Sequence, residues 1–225
     1  MNYTSAYLWE QGKTGEISRV SVVLQQVEVK NKQVVLACVC EGSTQGECGV
    51  TESGYFTEGL VEWFHRDFLK LCENKRRVEE VEKLLQKEVE RLKAEVQKYI
   101  QKKGQKSYVN YFGMIFWENQ FWTFTQGSCE AYLLNKRFNR KNMRRIQIQC
   151  SQQSNYWTGQ IQRKVGVLLC ASNYLQGVSQ ETALEVLNPE GELKEERMQK
   201  RLEELWREKV LQGKWGPTGA IWIHT

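Results

Sequence analysis

Histidine, proline and long apolar runs are scarce in this chain, and each shortage closes off a class of protein. Two prolines in 225 residues, with 40% hydrophobic and 26% charged residues, describe an ordinary folded domain and not a disordered chain. No apolar run approaches the ~20 residues that cross a bilayer. Met1–Gln11 has neither a basic start nor an apolar stretch, so it is not read as a signal peptide. The expectation is a soluble cytoplasmic protein with no membrane partner. The 7 cysteines contain no C-x-x-C pair. Cys38 and Cys40 share one face of a predicted strand, but a structural zinc wants a second such pair or nearby histidines. His65 and His224 are far from them in sequence. Buried free thiols are the expected state. Cys129 has no histidine near it and no anion-cradling glycine loop after it, so a cysteine nucleophile is not expected.

What is present reads as strands, a helical pair, more strands, and a second set of helices. Ile17–Val29 is valine-rich with partial alternation, and a turn at Asn31-Lys32 leads into Val34–Cys40. That second run is apolar almost throughout, the pattern of a strand covered on both faces. Gly42–Gly54 is glycine-rich and predicted as loop. Leu60, Phe64, Phe68 and Leu71 mark one amphipathic helix; Val78, Val81, Leu85, Val89, Leu92, Val96 and Tyr99 mark another. The short turn near Asn74 favours an antiparallel hairpin of these two over a coiled-coil dimer. Tyr108–Trp117, Gln120–Thr125 and Ala131–Leu134 are predicted strands, the first two joined by a turn at Glu118-Asn119. Ile146–Cys150, Val165–Cys170 and Thr218–His224 are further strands. Val178–Leu187, with Ser179 as N-cap, and Glu192–Leu211 are helices. No repeat or linker divides the chain, so residues 1–225 are read as one domain.

Four stretches carry a resemblance. They are Val34–Gly42 (VVLACVCEG), Gln126–Leu134 (QGSCEAYLL), Val167–Glu181 (VLLCASNYLQGVSQE) and Lys214–Thr225 (KWGPTGAIWIHT). In that order they resemble the corner motifs of the PPM-type (type 2C) metal-dependent serine/threonine phosphatases. The resemblance implies an α+β fold: a four-layer α-β-β-α sandwich, two antiparallel sheets flanked by helical pairs. It places Glu41 where the family has the aspartate of its Asp-Gly motif and keeps Gly42, whose carbonyl would be a ligand. The family's Gly-Asp-Ser-Arg-Ala-Tyr-Leu becomes Gly127-Ser128-Cys129-Glu130-Ala131-Tyr132-Leu133. Its Cys-Ser-Asp-Gly-Leu becomes Cys170-Ala171-Ser172-Asn173-Tyr174, and its late Asp-Asn becomes Trp215-Gly216.

The family's chemistry, as the resemblance implies it, needs two divalent ions held by clustered carboxylates, with a bridging water as nucleophile. Hard cations want oxygen ligands that also balance their charge. Ser128 and Ser172 offer neutral hydroxyls, and Trp215 offers an indole. Glu41 keeps a carboxylate, displaced by about 1 Å through its extra methylene. The expectation is therefore a protein that has lost its catalysis, takes no cofactor, and acts by binding a phosphoprotein or regulatory partner in signalling. The alternative is an active Mn²⁺- or Mg²⁺-dependent phosphatase with a rearranged site that draws on Glu47, Glu52, Glu58 or Glu130.

A second candidate site is the basic stretch holding Lys136, Arg137, Arg140, Lys141, Arg144 and Arg145. Its bland reading is a solvated hairpin tip. Its functional readings are a phosphopeptide or acidic-protein surface or, with Phe138 stacking on a base, a nucleic-acid surface. A net charge of +5 is too small for a broad nucleic-acid face.

Overall fold

Burial along the strands sets the architecture. The structure is a computed structural model that describes residues 2–11, 18–42, 52–74, 78–101, 109–137, 140–146, 154–187, 193–211 and 216–225, leaving aside the side chains of residues 100, 101, 136, 137 and 140. The elements in chain order are β1 (Thr4–Glu10), β2 (Val20–Val29), β3 (Lys32–Gly42), α1 (Glu52–Trp63), a π-helical turn (Phe64–Phe68), α2 (Leu69–Glu73) and α3 (Val78–Gln101). Then follow β4 (Val109–Trp117), β5 (Gln120–Gln126), β6 (Glu130–Arg137), β7 (Arg140–Arg145), β8 (Asn155–Gln160), β9 (Gly166–Cys170), α4 (Gln180–Leu187), α5 (Glu195–Leu211) and β10 (Thr218–His224).

In β3 every residue from Val34 to Cys40 is buried. Odd and even positions serve different cores. Val35, Ala37 and Val39 join one apolar cluster, while Val34, Leu36, Cys38 and Cys40 join another that includes α1 and α3. A strand covered on both faces needs a layer on each side, and the fold supplies both. One sheet runs β2-β3-β4-β5-β8 and the other β1-β10-β9-β6-β7, antiparallel throughout. The sheets face each other across the cluster built on Val35, Phe112, Leu169 and Ile221. α4 and α5 cover the outside of the second sheet through Leu187, Met198, Leu202 and Leu205. The expected four-layer α-β-β-α sandwich is the observed fold.

The helical pair on the first sheet is the expected hairpin. Tyr55 stacks on Tyr99 with ring centroids 5.9 Å apart. Gly59 lets α3 come close: a Cβ there would lie 2.3 Å from Leu92 Cδ2. The turn between β2 and β3 uses Lys30 and Asn31, both at positive φ. The hairpin between β4 and β5 turns at Glu118 and Asn119 with Trp117 opposite Gln120. Ser179 caps α4 as read, its Oγ accepting from the Thr182 N–H at 3.1 Å.

The structure differs from the sequence reading at several points: α1 begins at Glu52, inside the Gly42–Gly54 stretch expected as loop, and the turn between β2 and β3 sits at Lys30-Asn31 and not at Asn31-Lys32. β1 and β8 are strands that the pattern did not announce. β7, at Arg140–Arg145, is also unannounced: there the basic stretch pairs back onto β6. Of the strand expected over Ile146–Cys150, residues 147–150 lie outside the described residues. Basic side chains are solvated on an edge strand, so a cationic strand carries no hydrophobic alternation to read.

Candidate functional site

Three corners of the sandwich meet at Glu41. β3 ends at Gly42, the turn between β5 and β6 carries Gly127 and Ser128, and the chain leaves β9 through Ala171 and Ser172. Each corner is fixed by backbone bonds. The Gly42 N–H donates to the Arg19 carbonyl at 2.7 Å, and the Ala171 N–H donates to the Gly219 carbonyl at 2.9 Å. Gly127 has φ +80°, and a Cβ there would lie 1.8 Å from Asn110 Oδ1, so glycine is needed for both backbone and space.

The Glu41 carboxylate is held by the two serines. Its Oε1 accepts from the Ser172 N–H at 2.7 Å and the Ser172 hydroxyl at 3.0 Å, and its Oε2 accepts from the Ser128 hydroxyl at 3.2 Å. The structure thus brings together Glu41, Gly42, Ser128 and Ser172, which the sequence placed 87 and 131 residues apart from Glu41 at the two serines. Trp215 lies outside the described residues. A further contact, unread in the sequence, ties this corner to the last strand. Asn173 Nδ2 donates to the Pro217 carbonyl at 2.9 Å, and Asn173 Oδ1 accepts from the Thr218 hydroxyl at 2.7 Å. An asparagine just past an apolar strand is a turn-forming residue, and that signal was available.

The acidic residues of the rearranged-site alternative disperse. Glu52 is buried at the start of α1, its Oε2 only 2.9 Å from where a Gly42 Cβ would sit. Glu58 is exposed on α1. Glu130 accepts from Arg145 at 2.6 Å and from the Tyr132 hydroxyl at 2.6 Å. Glu47 is outside the described residues. Among the described residues no group of three His, Cys, Asp or Glu side chains converges on a cation position. The composition adds that Asp67 is the single aspartate of the chain. That residue sits on the π-helical turn, where it accepts from Arg66 at 2.9 and 3.0 Å.

Thiols surround the corner and are inert. Cys38, Cys40, Cys129 and Cys170 are buried and free. Burial pushes the Cys129 thiol well up, and the Glu41 charge adds to it. Cys170 is raised by burial first and by Glu130 and Glu41 after it. A protonated thiol is a poor nucleophile.

Of the basic stretch, Lys141, Arg144 and Arg145 are exposed on β7. Register places Arg144 opposite Leu133 and Lys141 opposite Lys136, so Arg144 and Lys141 stand on different faces of the hairpin. Arg145 is held by Glu130. The side chains of Lys136, Arg137 and Arg140, and all of Phe138, are outside the described residues.

No family model and no curated protein matches the chain in sequence. Solved structures match it over its whole length. The serine/threonine phosphatase Stp1 from Staphylococcus aureus is 12% identical with a TM-score of 0.76, covering 100% of this chain and 96% of its own. The catalytic domain of the serine/threonine phosphatase PstP, in complex with two manganese ions, is 14% identical with a TM-score of 0.71 and covers 99% and 97%. The type 2C phosphatase from Toxoplasma gondii is 10% identical at 0.70, covering 98% and 94%.

The expectation of no cofactor is corrected by these structures. PstP carries two manganese ions on this fold, so divalent metal is the cofactor to which the fold points. The described donors of this chain do not fit a pair of such ions. Two carboxylates come to the corner, Glu41 with its oxygens taken by an amide and two hydroxyls and Glu52 buried beside Gly42, and a pair of hard dications needs several more oxygen ligands with balancing charge. That mismatch concerns the donors alone. The chain has the fold of the PPM-type serine/threonine phosphatases.

Proposed function

We propose that this protein is a phosphatase-like binding module that does not hydrolyse phosphoesters and recognises a phosphoprotein or regulatory partner in cytoplasmic signalling. The observation that carries the reading is the Glu41 corner. In a working metal-dependent hydrolase the corner carboxylates would face ions and a bridging water. Here the carboxylate accepts three hydrogen bonds from Ser128 and Ser172. With a single aspartate in the sequence, at Asp67, the acidic cluster has no aspartates to be rebuilt from. The exposed Lys141, on the face of β7 away from Arg144, supplies a cation for an acidic or phosphorylated partner. A nucleic-acid surface is less well supported, because Lys141 and Arg144 stand on opposite faces and Arg145 is already paired.

The test is hydrolysis of p-nitrophenyl phosphate across a Mn²⁺ titration, with Glu41→Ala alongside. The expected outcome is no turnover above blank at millimolar Mn²⁺ in either protein. Metal-dependent turnover that Glu41→Ala abolishes would overturn the reading and establish a rearranged phosphatase centre. Partner recognition is tested separately by titrating a phosphoserine peptide, whose binding Lys141→Glu should weaken.

A further inference from the structure

Away from the Glu41 corner, toward the other ends of the same strands, the two sheets part around a cavity of about 440 Å³. That volume falls within the ~300–1,000 Å³ typical of small-molecule sites. Apolar and polar surface share its walls about equally, the apolar part coming from Met114 and Phe121 of the first sheet, Leu133 and Val167 of the second, and Trp157 beside them. Polar groups come from β6 and β7 and also from Gln160 and Gln162. Asn135 and Asn142 face each other across the hairpin, and Arg144 stands opposite Leu133. Arg144 is the single charged residue among the described residues lining the space.

Two of these groups lack partners. Arg144 has no ion pair to any described residue, whereas its neighbour Arg145 is held by Glu130. Asn135 Oδ1 is buried with no hydrogen-bond partner among the described residues. A buried polar atom left unmade costs roughly 1–3 kcal/mol, so such atoms are ordinarily satisfied by protein, water or ligand. The amide can present either its oxygen or its NH₂ to an occupant, since the two are interchangeable by a flip.

We propose that this cavity binds a small amphipathic anion: an apolar chain bearing one carboxylate, held at its head by Arg144 and the Asn135 and Asn142 amides. The guanidinium selects an anionic head through charge-assisted hydrogen bonds, and the apolar walls select the chain. The site is independent of the Glu41 corner and of the proposal made for it.

The test is calorimetric titration with octanoate, octanol and octylammonium, which share one chain and differ in head charge. Octanoate binds saturably, and Arg144→Gln weakens it about tenfold, the size of a lost charged hydrogen bond. Lys141→Gln makes the same charge change on the other face of β7 and leaves the affinity unchanged. Val165→Trp, at the cavity wall, abolishes binding. Circular dichroism melting confirms that each variant is folded. The proposal is overturned if octanoate gives no saturable heat, or if octylammonium binds as well as octanoate. It is equally overturned if the folded Arg144→Gln or Val165→Trp protein binds octanoate like the parent.

Discussion

The two ends of the β-sandwich treat their polar groups in opposite ways. At the Glu41 end the chain satisfies its own charge: one N–H and two hydroxyls close on the carboxylate, and Asn173 ties the same corner to β10. At the cavity end Arg144 and the Asn135 amide are left without described partners beside apolar walls. Closed polar groups hold geometry, and open ones wait for a ligand. By this comparison, the Glu41 corner closes on its own hydrogen bonds while the cavity end does not.

Breaking the closed end should therefore cost stability, most of all at Gly127. An alanine there must adopt positive φ and place its Cβ 1.8 Å from Asn110 Oδ1. The expected loss is about 2–4 kcal/mol in urea denaturation, from backbone strain and overlap together. The double variant Gly127→Ala with Asn110→Ala separates them: it removes the overlap with Oδ1 and Cγ and leaves the strain, with the residue 110 Cβ still 2.9 Å away. If the single variant is as stable as the parent, the turn is not held as described. Next in size is Glu41→Ala. As a latch, Glu41 should cost about 1–3 kcal/mol on removal. A functional carboxylate kept at the expense of stability gives the opposite sign, with Glu41→Ala neutral or stabilising.

Much of this was legible in the sequence, and the reasons differ by element. β3 and β10 announced themselves because burial on both faces leaves continuous apolar runs, and α3 did so through its 3.6 period. The meeting of Glu41, Ser128 and Ser172 came from resemblance; no periodicity brings residues so far apart together. Edge strands were the blind spot. β1 mixes Ser5, Ala6 and Tyr7, and β7 reads Arg-Lys-Asn-Met-Arg-Arg, because an edge faces solvent and carries polar residues. The cavity was illegible for the same reason, since its charged residue Arg144 and its Asn142 lie on β7. The absence of aspartate at every position but 67 was open to view in the composition and is a sequence feature on which the proposed loss of hydrolysis rests.

Alkaline titration sharpens the comparison further, because the corner end carries buried thiols and the cavity walls carry none. Cys129 is the thiol to change. Its pKa in the folded chain is raised by burial, then by Glu41, Cys40, Cys38 and Cys170, while the ordinary value is 9.0. Below that ordinary value both folded and unfolded chains hold the proton, so the contribution to stability is complete. As pH rises past about 9 the unfolded chain gives up the proton and the folded chain keeps it, so stability falls with pH. One such thiol accounts for about 1 kcal/mol of loss at pH 10. Urea midpoints between pH 7 and pH 10 should therefore decline less steeply in Cys129→Ala than in the parent, whatever the offset between them at pH 7. Val165→Ala, at the cavity wall, should shift the midpoint at every pH and leave the slope alone. Parallel pH profiles for Cys129→Ala and the parent would mean that the thiol beside Glu41 ionises as readily folded as unfolded, and the corner would then be open to water instead of closed on itself.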